Sequence, residues 1–209
     1  MRKYGISSRD FLKRAEALVN SNEICNLLYA ALELRFGIEA RLQEYLKGGE
    51  DILKAKADIW KVKHLDKEVR KRFAVNDKPV EITIQRDDTK VLVRYAYTPV
   101  SINLRSIAGK LGQFLHYIPQ HRENEKNFIL SLRKLVKSGI EELRFSTSGH
   151  LLGPPRFIKN GEDKDIILKY DRNSNATIFP KGVKAKLKLE VVAVRKDETS
   201  VGFKPVWQD

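Results

Sequence analysis

The chain has 209 residues, enough for one large or two small domains with a substantial core. With 42% hydrophobic and 32% charged residues and no low-complexity run, it is neither a disordered nor a fibrous chain. Its net charge of +13 excludes an acidic, self-solvating class and points to a polyanionic partner, nucleic acid first and an acidic protein second.

The excess charge is uneven. Residues 51–78 carry nine basic against five acidic groups, and residues 121–160 carry eight against four. No apolar stretch approaches the roughly 20 residues that span a bilayer. The opening MRKYGISSRDFLKR lacks a signal-peptide core. A single cysteine excludes an internal disulfide framework and suits a reducing compartment. The expectation is a cytoplasmic protein with no membrane partner.

In chain order, Ser7-Ser8 can cap a helix over residues 10–19, with Phe11, Leu12, Ala15, Leu18 and Val19 at helical spacing. After the turn cluster Asn20-Ser21-Asn22, residues 22–47 form one long helix stopped by Lys47-Gly48-Gly49. So short a link predicts antiparallel neighbours. On a wheel of about 100° per residue, Ile24, Leu28, Ala31, Ile38, Leu42 and Leu46 centre a wide apolar face. Cys25, Tyr29, Leu32 and Phe36 extend it, while Asn26, Glu33, Gly37, Arg41 and Glu44 gather on the solvent side. A helix apolar over most of its circumference is the central post of a bundle. Arg35 interrupts that face one turn before Glu39, the i,i+4 spacing at which side chains meet. A buried lone charge costs several kcal/mol. The two groups therefore either neutralise each other in the core or line a polar cleft.

Residues 51–73 read as a basic amphipathic helix. Ile59, Val62, Leu65, Val69 and Phe73 form a narrow stripe, flanked by Lys61, Lys63, Arg70, Lys71 and Arg72 as phosphate-contacting candidates. Then the period changes to two. Val80, Ile82 and Ile84 alternate, as do Val91, Val93, Tyr95 and Tyr97, around the polar turn Asp87-Asp88-Thr89. This predicts a β-hairpin inserted at 79–98. Arg86, Lys90 and Arg94 with the tyrosines offer a nucleic-acid contact, and cross-strand packing is the competing use of the rings.

Residues 101–118 return to helix, with Leu104, Ile107, Leu111, Phe114, Leu115 and Ile118 inward. Arg105, Gly109, Gly112 and His116 run down one side, with Gln113 beside them. A helical glycine costs about 1 kcal/mol, so two on one side mark close approach by a helix, a second subunit or a ligand. The Gly-x-x-Gly spacing of KH RNA-binding loops is present here, but helical periodicity runs straight through it. Residues 124–144 form a further helix, with Phe128, Ile129, Leu132, Leu135, Val136, Ile140 and Leu143 inward and Arg133, Lys134 and Lys137 outward. From Ser146 a loop leads through Gly153 to short β-like runs, clearest in KAKLKLEVVAVRK. The expected class is α+β: an N-terminal helical bundle over 1–150 with the inserted hairpin, then a small antiparallel β domain over 155–209.

The central helix, AALELRFGIEARLQEYL, resembles the signature helix of HEPN (higher eukaryote and prokaryote nucleotide-binding) domains through Ala30, Ala31, Glu33, Arg35, Ile38 and Glu39. The later LGQFLHY is similar to a segment of some of these bundles. The likeness covers residues 8–144 outside the hairpin. It implies a helical bundle, commonly dimeric, of the kind found in RNA-cleaving toxins and antiviral defence, working without metal or cofactor. Catalytic members carry an arginine four to six residues before a histidine, and two subunits together supply a base for the 2′-hydroxyl and a cation for the developing phosphorane charge. Arg144 and His150 match that spacing, but in loop context and without a polar residue after the arginine. Lys110 and His116 have the helical context, but lysine lacks the bidentate fork.

Three readings follow. One is an RNA- or DNA-binding module of a defence or toxin–antitoxin system, without an intact catalytic motif, binding through Lys61, Lys63, Arg70, Lys71, Arg72, Arg133 and Lys137. Another is a metal-independent endoribonuclease whose site forms at a homodimer interface around His116. The third is a helical scaffold for an acidic protein. Four scattered histidines and one cysteine give no zinc spacing, and no Walker loop or dinucleotide glycine fingerprint is present.

Overall fold

The first helix, α1 (Ser8–Leu18), starts where the sequence places a cap. The Ser7 hydroxyl accepts from the Asp10 amide at 3.2 Å while the Asp10 carboxylate accepts from the Ser7 amide at 3.1 Å, a reciprocal capping box. Hydrogen bonding to Ser7 holds the Asp10 carboxyl below its ordinary value. The computed structural model describes residues 4–47, 79–86, 90–116, 125–153, 156–160, 163–167 and 186–190. The remaining elements are α2 (Ile24–Lys47), β1 (Val80–Arg86), β2 (Lys90–Tyr97), α3 (Ile102–His116), α4 (Glu125–Ser148), β3 (Arg156–Asn160), β4 (Asp163–Ile167) and β5 (Lys186–Glu190). The basic segment 51–73 expected from the sequence lies outside the described residues.

The fold class is α+β, with a helical N-terminal region. α2 is the central post: it packs against α1, α3 and α4. Its contacts with α1 run antiparallel, Ser8 meeting Glu44 while Arg14 meets Glu33. α3 and α4 are antiparallel too, since Glu142 accepts from Ser101 and Asn103 at one end and Phe114 meets Phe128 at the other. Leu27, Ala30, Leu34, Ile38, Leu42 and Tyr45 are the buried stripe of α2. That stripe is rotated from the face expected. Cys25, Tyr29 and Phe36 are exposed, and Arg41, expected on the solvent side, is fully buried. α2 must face three neighbours at once, so its buried arc follows their positions rather than the centre of its apolar residues.

Helix α4 runs four residues past the expected end at Arg144, because tertiary partners hold its last turn. The Ser146 carbonyl accepts from Arg41 Nε at 2.9 Å and from the Thr98 hydroxyl at 2.9 Å. Arg41 also donates to Glu44 at 3.1 Å and to the Leu151 carbonyl at 3.3 Å, and its guanidinium lies 4.5 Å from the centre of the Tyr45 ring. The Tyr45 hydroxyl donates to the Thr98 carbonyl. Burial raises the Tyr45 hydroxyl above its ordinary value, Arg41 opposing.

β1 and β2 form the antiparallel hairpin that the alternation predicted, with Val80 opposite Tyr97, Ile82 opposite Tyr95 and Ile84 opposite Val93. Tyr95 and Tyr97 are buried, so they pack the hairpin onto the bundle rather than meeting nucleic acid. Arg94 lies 3.7 Å from Glu81. β5 pairs antiparallel with β1, giving a sheet ordered β2-β1-β5. In that register Leu187 pairs with Ile84 and Leu189 with Ile82. β3 and β4 form a separate two-stranded sheet. Among the described residues, no helix is long and apolar enough to cross a membrane.

Candidate functional site

The polar interruption in α2 faces α3, where Arg35 meets His116 and Gly112. Arg35 and Glu39 are half-buried, their side chains 23% and 17% exposed, with Arg35 Nε donating to Glu39 Oε1 at 3.2 Å. An arginine one turn before a glutamate is the less favourable order for helix stability, and such pairs add only a few tenths of a kcal/mol, about 0.2–0.5, at best. Helix stability alone therefore does not account for the pair. Burial holds the Glu39 carboxyl above its ordinary value, with Arg35 pulling it back. The charge is therefore kept in place by the guanidinium rather than by water.

Arg35 Nη1 reaches across to His116 Nε2 at 3.3 Å. A guanidinium has no acceptor, so Nε2 contributes its lone pair to this contact and the ring proton sits on Nδ1. Gly112, one turn before His116, makes the approach geometrically feasible. A methyl there would stand 3.3 Å from Arg35 Nη1. The glycine signal in the sequence thus marks the seat of a guanidinium. Gly109 faces open space, with nothing within 4 Å of a β-carbon. Gln113 and His116 are exposed.

The structure distributes the other candidates differently from the sequence reading. Lys110 is exposed, and its six-residue offset from His116 puts it about a third of a turn away around α3. The cation facing His116 is Arg35, from another helix. Arg144 donates to Glu16 at 2.7 Å, whereas buried His150 receives the Ala96 amide at Nδ1, 3.1 Å away, so the two are engaged on different partners. Arg133 forks onto the carbonyls of Val19 and Ser21 at 2.7 and 2.9 Å, tying off the end of α1. Lys137 is exposed and shares a ridge of α4 with exposed Lys126 and Lys134. Lys61, Lys63, Arg70, Lys71 and Arg72 lie outside the described residues. Among the described residues, no group of three or more His, Cys, Asp or Glu side chains could hold a metal ion.

Arg35, Glu39, Gly112 and His116 were each singled out by the sequence, but their meeting was not. The usable signal was that the small residue and the imidazole lie one turn apart on one side of α3, matching one guanidinium's reach. Comparison with family models, curated proteins and solved structures returns no match for the chain.

Proposed function

We propose that this is an HEPN-like nucleic-acid-binding protein, acting on RNA in the cytoplasm within a defence or toxin–antitoxin system, and that it holds a phosphodiester where α2 meets α3. The observation that carries the proposal is the Arg35 guanidinium, anchored through Nε by Glu39 and directed through Nη1 to the exposed imidazole of His116. A preset fork of this kind fits a phosphate oxygen pair. The net charge of +13 and the lysine ridge on α4 supply the long-range attraction.

The Arg35–His116 contact also favours a second reading, metal-independent RNA cleavage. Arg35 Nη1 turns from His116 Nε2 onto a phosphate oxygen, the freed Nε2 lone pair takes the proton of a 2′-hydroxyl, the 2′-oxygen attacks the adjacent phosphorus, and Arg35 stabilises the charge that builds on the phosphorane oxygens. The P–O5′ bond then breaks, the leaving oxygen collects a proton from water, and a 2′,3′-cyclic phosphate and a 5′-hydroxyl remain.

Both readings are tested on one preparation. A labelled single-stranded RNA is titrated at several salt concentrations in EDTA, and the same reactions are resolved on a gel. Arg35→Gln is expected to weaken binding and to flatten the log–log salt slope by about 0.7, the value of one single-strand phosphate contact. An unchanged slope and affinity refute Arg35 as the phosphate site. RNA that is bound but left intact removes the cleavage reading alone, as does cleavage that persists in His116→Ala.

A further inference from the structure

Beside the proposed phosphate site, α2 carries two aromatic rings that the bundle leaves open. Tyr29 is 59% and Phe36 41% exposed. Seven residues apart, they lie within about 20° of one another around the helix and about 10 Å apart along it. Half-buried Leu32 stands between them on the same stripe. Phe36 also meets Phe11, with ring centres 5.8 Å apart and planes tilted by 56°. Going round α2 from this stripe, the next side chains are Glu39 and then Arg35, so the aromatic face and the guanidinium share one border. On the other border Glu33 is tied to Arg14 at 2.8 Å.

We infer that Tyr29 and Phe36 form a stacking platform for unpaired bases of a single strand whose phosphate sits on Arg35. The inference rests on the proposed phosphate site and narrows its ligand to single-stranded RNA. Aromatic faces beside a cationic groove are the general means by which single strands are held, because each base has a π-face and a duplex keeps those faces stacked away. A second copy of the chain is the competing occupant, and area argues against it. A large aromatic side chain can bury about 150–250 Å². At the exposures found here, the two rings leave only roughly 200 Å² between them. A stable interface needs about 800 Å² per partner.

The test is fluorescence anisotropy with a labelled unstructured RNA and with a duplex of the same sequence, alongside sedimentation of the protein. Tyr29→Ala and Phe36→Ala are each expected to weaken single-strand binding about five- to a hundredfold, the range of one lost base–aromatic stack. The salt slope and duplex binding should stay unchanged, whereas Tyr29→Phe should restore affinity. If Arg35→Gln weakens binding and Tyr29→Ala does not, the platform is refuted and the phosphate site survives. If neither variant matters, both fall. A drop in particle mass with unchanged RNA affinity also overturns the platform, because the stripe is then an interface between copies. Should Phe36→Ala fail to fold for want of its Phe11 contact, Tyr29→Ala decides alone, since most of that ring is in solvent.

Discussion

Replacing Arg41 by alanine is expected to remove a large part of the stability of the protein. Arg41 is fully buried between α2 and the end of α4, where it bonds Glu44 and the carbonyls of Ser146 and Leu151. Hydrogen bonds to a charged group contribute about 1.5–3 kcal/mol each, and the guanidinium over the Tyr45 ring adds up to about 2 kcal/mol. Against this stands the cost of desolvating the guanidinium, which the wild type already bears and the variant escapes. The balance for removing one partner of a buried pair is about 3–5 kcal/mol, because Glu44 and two buried carbonyls lose a donor. For a chain of this size that lowers Tm by about 6–20 °C, from a total stability of about 5–15 kcal/mol. Thermal and urea unfolding followed by circular dichroism measure it. Arg41→Lys should recover only part of the loss, since one ammonium cannot reach three acceptors in a fork's geometry. Glu44→Gln should cost less, because Ser8 still donates to its side-chain oxygens. If Arg41→Ala unfolds within 1 kcal/mol of the wild type, on the order of a typical surface change, the residue does not clamp α2 to the end of α4.

Two glycines in the bundle give opposite expectations. A β-carbon at Gly139 would lie 2.6 Å from Leu34 Cδ2 and 3.0 Å from Ile107 Cγ2, so Gly139→Ala should lose about 1 kcal/mol, the overpacking cost exceeding the gain in helix propensity. At Gly109 nothing stands within 4 Å, and Gly109→Ala should gain about 1 kcal/mol in the same unfolding assay; a loss there would mean that this face is engaged. The two shifted carboxyls should act in opposite directions on a pH–stability curve. Asp10, held below its ordinary 3.8, contributes stability that is present above that value and lost as pH falls through its depressed folded value; Asp10→Asn should flatten this acid limb. Glu39, held above its ordinary 4.5, binds its proton more tightly when folded, so stability declines as pH rises from 4.5 through the raised value; Glu39→Gln should abolish that step, and a step that persists would assign it elsewhere.

Local chemistry was legible wherever one short segment carries its own signal. Ser7-Ser8 announced the start of α1, and the alternation in 80–97 gave the hairpin. Arg35 and Glu39 stood out as a polar break in an apolar face, and Gly112 as a place of close approach. These follow from side-chain spacing and backbone preference, which a sequence states directly. Pairings between distant segments are decided by where neighbouring elements come to rest. Arg41 counts as a solvent residue on a helical wheel and becomes the most deeply held charge of α2 once the end of α4 offers it two carbonyls. Tyr29 and Phe36 count as core on the same wheel, yet the bundle leaves them open. Likewise the pairing of β5 with β1 joins segments distant in sequence, which no local pattern states. The chain by itself determined which stretches are helix or strand and which residues are chemically unusual. Only the tertiary structure decided which sides of α2 are covered and that Arg35, rather than Lys110, meets His116, because burial and encounter depend on packing between helices and not on periodicity within one.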